Sequence, residues 1–279
     1  MSQASAHAPS RVAQPRSRLL IAVELVLLAN ALPAFVVLGL FPGRTADLFV
    51  WTVKPEASAH LLAAMYGNAA ILAALTLARR SWADVRVAFV VFTFFSLAAT
   101  TATFFFLDPF LAHPRYFFVY WLANYFFLCL VTPFVFLREE FASGGRLPVG
   151  SPLGGTARAA AVIAAAGCLA AGIAMLIGPD FVAGAWPWTL SPLVARIIGV
   201  WLTALGLAFV WTVADGDVRR TRPIFVQGLP TAVLVGLVPL LHRGDLESGS
   251  ARYALFALLV GGLAAAGAAG VVEGNPEPG

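Results

Sequence analysis

The chain has 279 residues, 60% hydrophobic and only 11% charged, with a mean hydropathy of +0.85. A water-soluble domain carries about 25% charged residues, so this chain lacks the polar surface needed to stay in water as a globule. Its formal charge of +4 lies in short loops, which excludes a nucleic-acid-binding face and reads as a membrane-orientation signal.

Residues 1–18 are rich in Ser, Ala, Pro and Arg and predict a disordered tail. The apolar run over 19–40 begins like a signal peptide, with Ala29-Asn30-Ala31 as a small-residue site. Glu24 interrupts that core and the run continues to Leu40, so an uncleaved span is expected. Further spans are predicted over 59–78, 87–107, 116–137, 157–177, 196–214, 224–241 and 253–272. Each is near the ~20 residues a helix needs to cross a ~30 Å hydrocarbon core. Barrel strands would be ~10 residues with strict alternation, so the fold class is all-α, a polytopic transmembrane bundle. A Gly- and Pro-rich stretch over 143–156 reads as a linker without a phosphate-binding pattern, and 273–279 as a C-terminal tail.

Eight spans put both termini on one side. That side holds twelve arginines, and the other five arginines plus Lys54, so the termini are expected in the cytoplasm. Lys54 is the only lysine among 18 basic residues, which with the alanine content points to a bacterial genome rich in G and C, and to a bacterial plasma membrane. Trp51, Trp186 and Trp188 fall on the opposite side, as an interfacial belt would.

Trp51-Thr52-Val53-Lys54-Pro55 returns 137 residues later as Trp188-Thr189-Leu190-Ser191-Pro192. With that offset Pro42 meets Pro179, Asp108 meets Asp245, and Arg115-Tyr116 meets Arg252-Tyr253. An internal duplication is therefore expected, with one four-helix repeat over 19–142 and a second over 157–272. An even number of spans per repeat gives both the same orientation, hence two parallel repeats about an axis along the membrane normal. The Trp…Pro segments read either as structural anchors at helix starts or as the lining of an outward mouth.

Polar groups concentrate in the first repeat. Thr93, Ser96, Thr100 and Thr103 share one helical face, as do Tyr116, Tyr120 and Asn124. Asn30 and Asn68 lie mid-span, and His60 lies near a span end. Most of their counterparts in the second repeat are apolar or Gly, and Gly262, Ala266 and Gly270 form a close-packing face there. These groups read as helix–helix hydrogen bonds or as a ligand-binding cleft bounded by Trp51, His60, Asn68, Thr100, Thr103, Tyr116, Tyr120 and Asn124. Glu24 is the one acid well inside a span; it reads as an interfacial side chain or a proton relay. Fifteen of the 22 Phe fall between Phe89 and Phe141, and most are expected to face lipid. Cys129 and Cys168 lie in apolar spans and read as packing residues.

Each half, with its outer segment bearing Trp51, Thr52 and Pro55 or Trp188, Thr189 and Pro192, resembles the four-helix layout of DoxX-like membrane proteins. It also resembles uncharacterised bacterial eight-span proteins with duplicated Trp…Pro segments. The first resemblance implies a partner role near quinone or redox enzymes, by analogy alone. No paired carboxylates, His cluster or Gly-x-Ser-x-Gly pattern marks an enzyme, and no cofactor or metal is indicated. Two functions are expected: binding or carrying a small or lipophilic solute through the cleft, or an accessory subunit whose second repeat packs on a membrane-protein partner of a larger, redox or respiratory, complex.

Overall fold

The computed structural model describes residues 14–144, 147, 150–247 and 249–274. Eight helices are long and apolar enough to cross a membrane, and no strand occurs among the described residues. They are α1 (Arg18–Leu40), α2 (Glu56–Leu77), α3 (Arg86–Phe105), α4 (Arg115–Ser143), α5 (Gly155–Ile177), α6 (Pro192–Asp215), α7 (Val218–Leu241) and α8 (Ser250–Glu273). The protein is an integral membrane protein in contact with lipid.

Local chemistry sets the helix ends. Ser17 caps α1 by accepting from the Leu20 N–H, and Ser191 caps α6 with Pro192 in the first turn. Asp217 accepts from the Arg219 and Arg220 N–H groups, which starts α7 at Val218, six residues before its predicted start at 224. The left-handed Gly144 and Gly216 close α4 and α6. Extension of α4 beyond 137 follows from its polar last turns: Glu140 accepts from Trp82 Nε1 and pairs with Arg86.

α2 and α6 are the central helices, with 67% and 83% of their spans buried, whereas α1 has 22% and α4 28%. α1 packs along α2 and α3 along α4; α5 packs along α6 and α7 along α8. The two sets of four meet where α2 lies on α7 and α3 on α6. At the α5–α6 contact Gly172 and Gly199 let the backbones touch, and a Cβ on Gly172 would lie 2.6 Å from the Thr203 nitrogen.

Several sequence expectations are corrected. Residues 14–17 belong to the fold: Pro15 pairs with Ser81, and Arg16 is inserted between α1 and α2. The remainder of the tail, 1–13, lies outside the described residues, as do 145–146, 148–149, 248 and 275–279. Within the linker, Leu153 donates to the Gly216 carbonyl and Ser151 accepts from the Val218 N–H, so this stretch clips onto the α6–α7 turn. Trp51, Trp186 and Trp188 do not form an interfacial belt, because they are 1%, 2% and 0% exposed. Short helices, Thr45–Leu48 and Pro179–Ala183, turn these segments inward, and Trp51 packs against Phe49, Phe110 and Trp121. The face of Gly262, Ala266 and Gly270 is not free for a partner: Gly262 approaches Ala164 of α5, and Gly270 lies under Phe225 of α7. Of the Phe-rich stretch, Phe104, Phe105, Phe126, Phe127, Phe134 and Phe141 are exposed, while Phe89, Phe92 and Phe110 are core residues.

Candidate functional site

The eight side chains expected to bound one cleft are spread over six places. Thr100 and Thr103 lie in the α3–α4 interface, where Thr100 donates to the Ser96 and Tyr125 carbonyls and Thr103 accepts from Trp121 Nε1. Threonine on α3 can return its hydroxyl to its own helix, as Thr100 and Thr103 do, whereas the buried Thr93 hydroxyl has no partner among the described residues. Trp51 is sealed in the aromatic cluster, with its Nε1 unpartnered among the described residues. Asn68 turns away from α4 toward α7, donating to Gln227 Oε1 at 3.2 Å and Thr231 Oγ1 at 2.5 Å. His60 meets His242 at the end of α2 and α7 away from the termini. Tyr116 is 66% exposed and lies against the Phe117 ring.

Tyr120 and Asn124 remain, on the face of α4 turned toward α1. Tyr120 donates to Asn30 Oδ1 on α1 at 3.3 Å. One turn on, the Asn124 Nδ2 is buried with no hydrogen-bond partner among the described residues. α1 and α4 otherwise touch at few points, whereas α5 and α8 pack closely along their length. The gap between α1 and α4 holds a cavity of about 190 Å³ whose polar members are Asn30, Tyr66, Tyr120 and Trp121. Its apolar wall is Pro33, Ala34, Val37 and Phe117 with Leu48, Phe49 and Val50, and no side chain that is charged at neutral pH lines it. Behind Asn30 and Tyr66 lies a chamber of about 30 Å³, reached by Asn68, Ser96 and Tyr125. The Tyr66 and Tyr125 hydroxyls are 3.0 Å apart at the waist between the two. Every group here can donate or accept a hydrogen bond, yet none provides a nucleophile–base pair or a set of metal ligands.

Two other features compete for attention. A groove of about 720 Å³ lies on the lipid side of α3 and α6, lined by Phe94, Leu97, Phe105 and Phe106. Its cation, Arg196, stacks 4.8 Å from the Phe106 ring, and Thr101 returns its hydroxyl to the Leu97 carbonyl. It offers a ligand no convergent hydrogen-bonding groups. Glu24 is buried, not interfacial as one sequence reading had it, because Arg16 folds back onto it at 2.7 Å. The same guanidinium donates to the Thr76 and Leu77 carbonyls, so the acid is locked into the junction of α1 and α2.

Gln227 and Thr231 are missed by the sequence reading although their spacing of four on an apolar helix is the signal used for α4. Tyr66 and Tyr125 are not singled out in the sequence reading, and only packing makes them partners. The Trp…Pro segments act as clasps: Thr52 Oγ1 meets His113 Nε2 at 3.2 Å, and Thr189 donates to Glu247 at 2.6 Å, each reaching the loop before the following helix pair closes. Outside the spans, the Thr189 hydroxyl and the Arg252 guanidinium hold the Glu247 carboxyl below its usual range. No family model, curated protein or solved structure matches the chain.

Proposed function

We propose that the protein binds an uncharged amphipathic solute, taken laterally from the bilayer into the gap between α1 and α4. The observation that carries this reading is a hydrogen-bonding waist, Asn30, Tyr66 and Tyr120, opening between two helices that barely touch. A cavity of about 190 Å³ is smaller than the ~300–1,000 Å³ of a site that engulfs a drug-sized ligand. It therefore takes a head group, leaving an apolar tail among Pro33, Val37 and Phe117 and the lipid chains. A neutral lining favours carbonyl- or hydroxyl-bearing heads over ions, since a desolvated charge here would have no counter-charge.

The proposed duplication gives the gap a physical origin. At the offset of 137, Asn30 corresponds to Gly167, Tyr125 to Gly262 and Leu27 to Ala164. Small residues let α8 close on α5, while the larger side chains wedge α4 from α1. Exchange of the two halves turns the α2–α7 contact into α6–α3, as an axis along the membrane normal requires. Cytoplasmic termini in a bacterial plasma membrane complete the proposal, on the arginine distribution. We favour binding over an accessory-subunit role because the small-residue face of α8 is already covered by α5 and α7.

The test is to purify the protein from native membranes, extract it with organic solvent and weigh the small molecules by mass spectrometry. One uncharged amphiphile near one per chain is expected, lost in Asn30→Leu and reduced in Tyr120→Phe. Recovery of bulk phospholipid alone, in the same ratio from wild type and Asn30→Leu, would reject the reading.

A further inference from the structure

The groove of about 720 Å³ on the lipid side of α3 and α6 has two parts, an apolar trough and a cation at the end away from the termini. From Phe94 to Phe105 the trough follows about three turns of α3, or ~16 Å of rise. That is the depth of one leaflet of a ~30 Å hydrocarbon core. Leu97 and Leu176 form part of its wall, and Leu97 is 54% exposed. Arg196 is half-buried near the start of α6 and donates from Nη1 to the Pro192 carbonyl at 3.5 Å. Its guanidinium therefore reaches back toward the helix start and the membrane surface, while its stem stays on the groove. The Phe106 ring lies 4.8 Å from that guanidinium. No carboxylate pairs with Arg196 among the described residues, and the acids of the segments that follow α3 and α5, Asp108 and Asp180, are exposed.

We propose that this groove binds one phospholipid of the leaflet away from the termini, with its phosphate on Arg196 and an acyl chain along α3. A cation at the membrane surface without a protein counter-charge draws an anion, and a guanidinium offers a phosphate two parallel N–H donors. Contact with the Phe106 ring holds the guanidinium at the mouth of the trough. A phospholipid is apolar below its head, so the lack of convergent hydrogen-bonding groups, which disfavours a polar solute, suits it. At the offset of 137, Leu97, Thr101 and Leu176 correspond to Leu234, Val238 and Gly39, which line a groove of about 290 Å³ between α1, α2 and α7. Arg196 corresponds to Ala59, and of these two grooves this one alone has an arginine in its wall. The site shares no lining residue with the α1–α4 gap and does not depend on what the gap binds.

The test places the full chain in nanodiscs with one of two photoactivatable probes. One is phosphatidylglycerol with a diazirine in its acyl chain; the other is diacylglycerol with the same chains and no phosphate. Cross-links to residues 94–106 are counted by mass spectrometry after irradiation. Wild type should give about fivefold more with the phospholipid, the factor expected of one arginine acting on an anionic head group. Arg196→Gln should bring the two probes level. Arg196→Lys should keep part of the preference, since the charge remains and the planar fork does not. Leu97→Trp, a change at an exposed position that fills the trough, should lower labelling by both probes. The arginines near the termini also attract phosphate, so phospholipid labelling at residues 134–143 is the reference and should be equal in wild type and all three variants. Equal labelling of wild type by the two probes, Arg196→Gln with the preference intact, or Leu97→Trp labelled as strongly as wild type overturns the proposal. So does a wild type in which neither probe reaches residues 94–106 and native mass spectrometry shows a dimer, since a second copy would then cover the groove.

Discussion

Replacing Arg16 with methionine removes a cation whose side chain is 8% exposed from a carboxylate that is fully buried, 2.7 Å away. Methionine preserves much of the apolar stem, so the change isolates the guanidinium. Glu24 would be left without its counter-charge, and breaking a buried pair in this way costs about 3–5 kcal/mol. The Thr76 and Leu77 carbonyls lose donors as well. They sit in the last turn of α2, where water can replace Arg16, so they add at most about 1 kcal/mol. For a chain of this size that total corresponds to a fall in Tm of roughly 6–24 °C. Replacing both residues, Arg16→Met with Glu24→Met, removes the orphaned charge and should recover most of the loss. Denaturant titration of detergent-solubilised protein through this double-mutant cycle should give a coupling of about 2 kcal/mol or more. A single variant within ~0.5 kcal/mol of wild type, or a double variant no better than the single, would refute the buried pairing and return residues 14–17 to the status of a tail.

Asn68→Leu should cost about 1–3 kcal/mol, because Gln227 and Thr231 lose the donor they share inside the bundle; adding Gln227→Leu should restore part of it in the same titration. Gly172→Ala should destabilise by roughly 1–3 kcal/mol, since its Cβ would meet the Thr203 backbone nitrogen at 2.6 Å, which a rotamer change cannot relieve. Glu247 binds its proton less readily in the folded loop, so the Thr189–Glu247–Arg252 clasp is present above the ordinary carboxylate range and lost as pH falls through the depressed value. Amide protection in the segment before α8, taken relative to the intrinsic rate at each pH, should therefore fall at acid pH, and Thr189→Val should lower it at neutral pH.

The eight spans are legible in the sequence because membrane crossing is a matter of length and apolarity, and both are local properties. Helix ends are less legible: α6 starts at Pro192, four residues before its predicted span, because Ser191 caps it, and α7 starts six residues early, where Asp217 outweighs the charged run that follows it. The site is harder to read because a stripe of polar residues fixes a helix face but not the neighbour it meets. Thr100 and Thr103 share a face with Ser96 as expected, yet that face meets α4, where their hydroxyls are taken up by Tyr125, Trp121 and their own helix. Asn68 lies mid-span as expected, yet its partners come from α7, 159 and 163 residues away. Arg16 belongs to a segment whose composition predicts disorder, and only the buried Glu24 gives it a place. Asn30 and Tyr120 meet because α4 stands off from α1, a consequence of side-chain volumes on two helices that no single-helix pattern records.

A density map of the protein in lipid nanodiscs tests the central claim most directly, through the volume between α1 and α4. The account predicts non-protein density with its head within hydrogen-bond distance of Asn30 and Tyr120 and its tail running past Val37 and Phe117, with no counterpart between α5 and α8. Finding α1 packed against α4 along its length, with Asn30 and Tyr120 satisfied by protein groups alone and the gap closed, would contradict it.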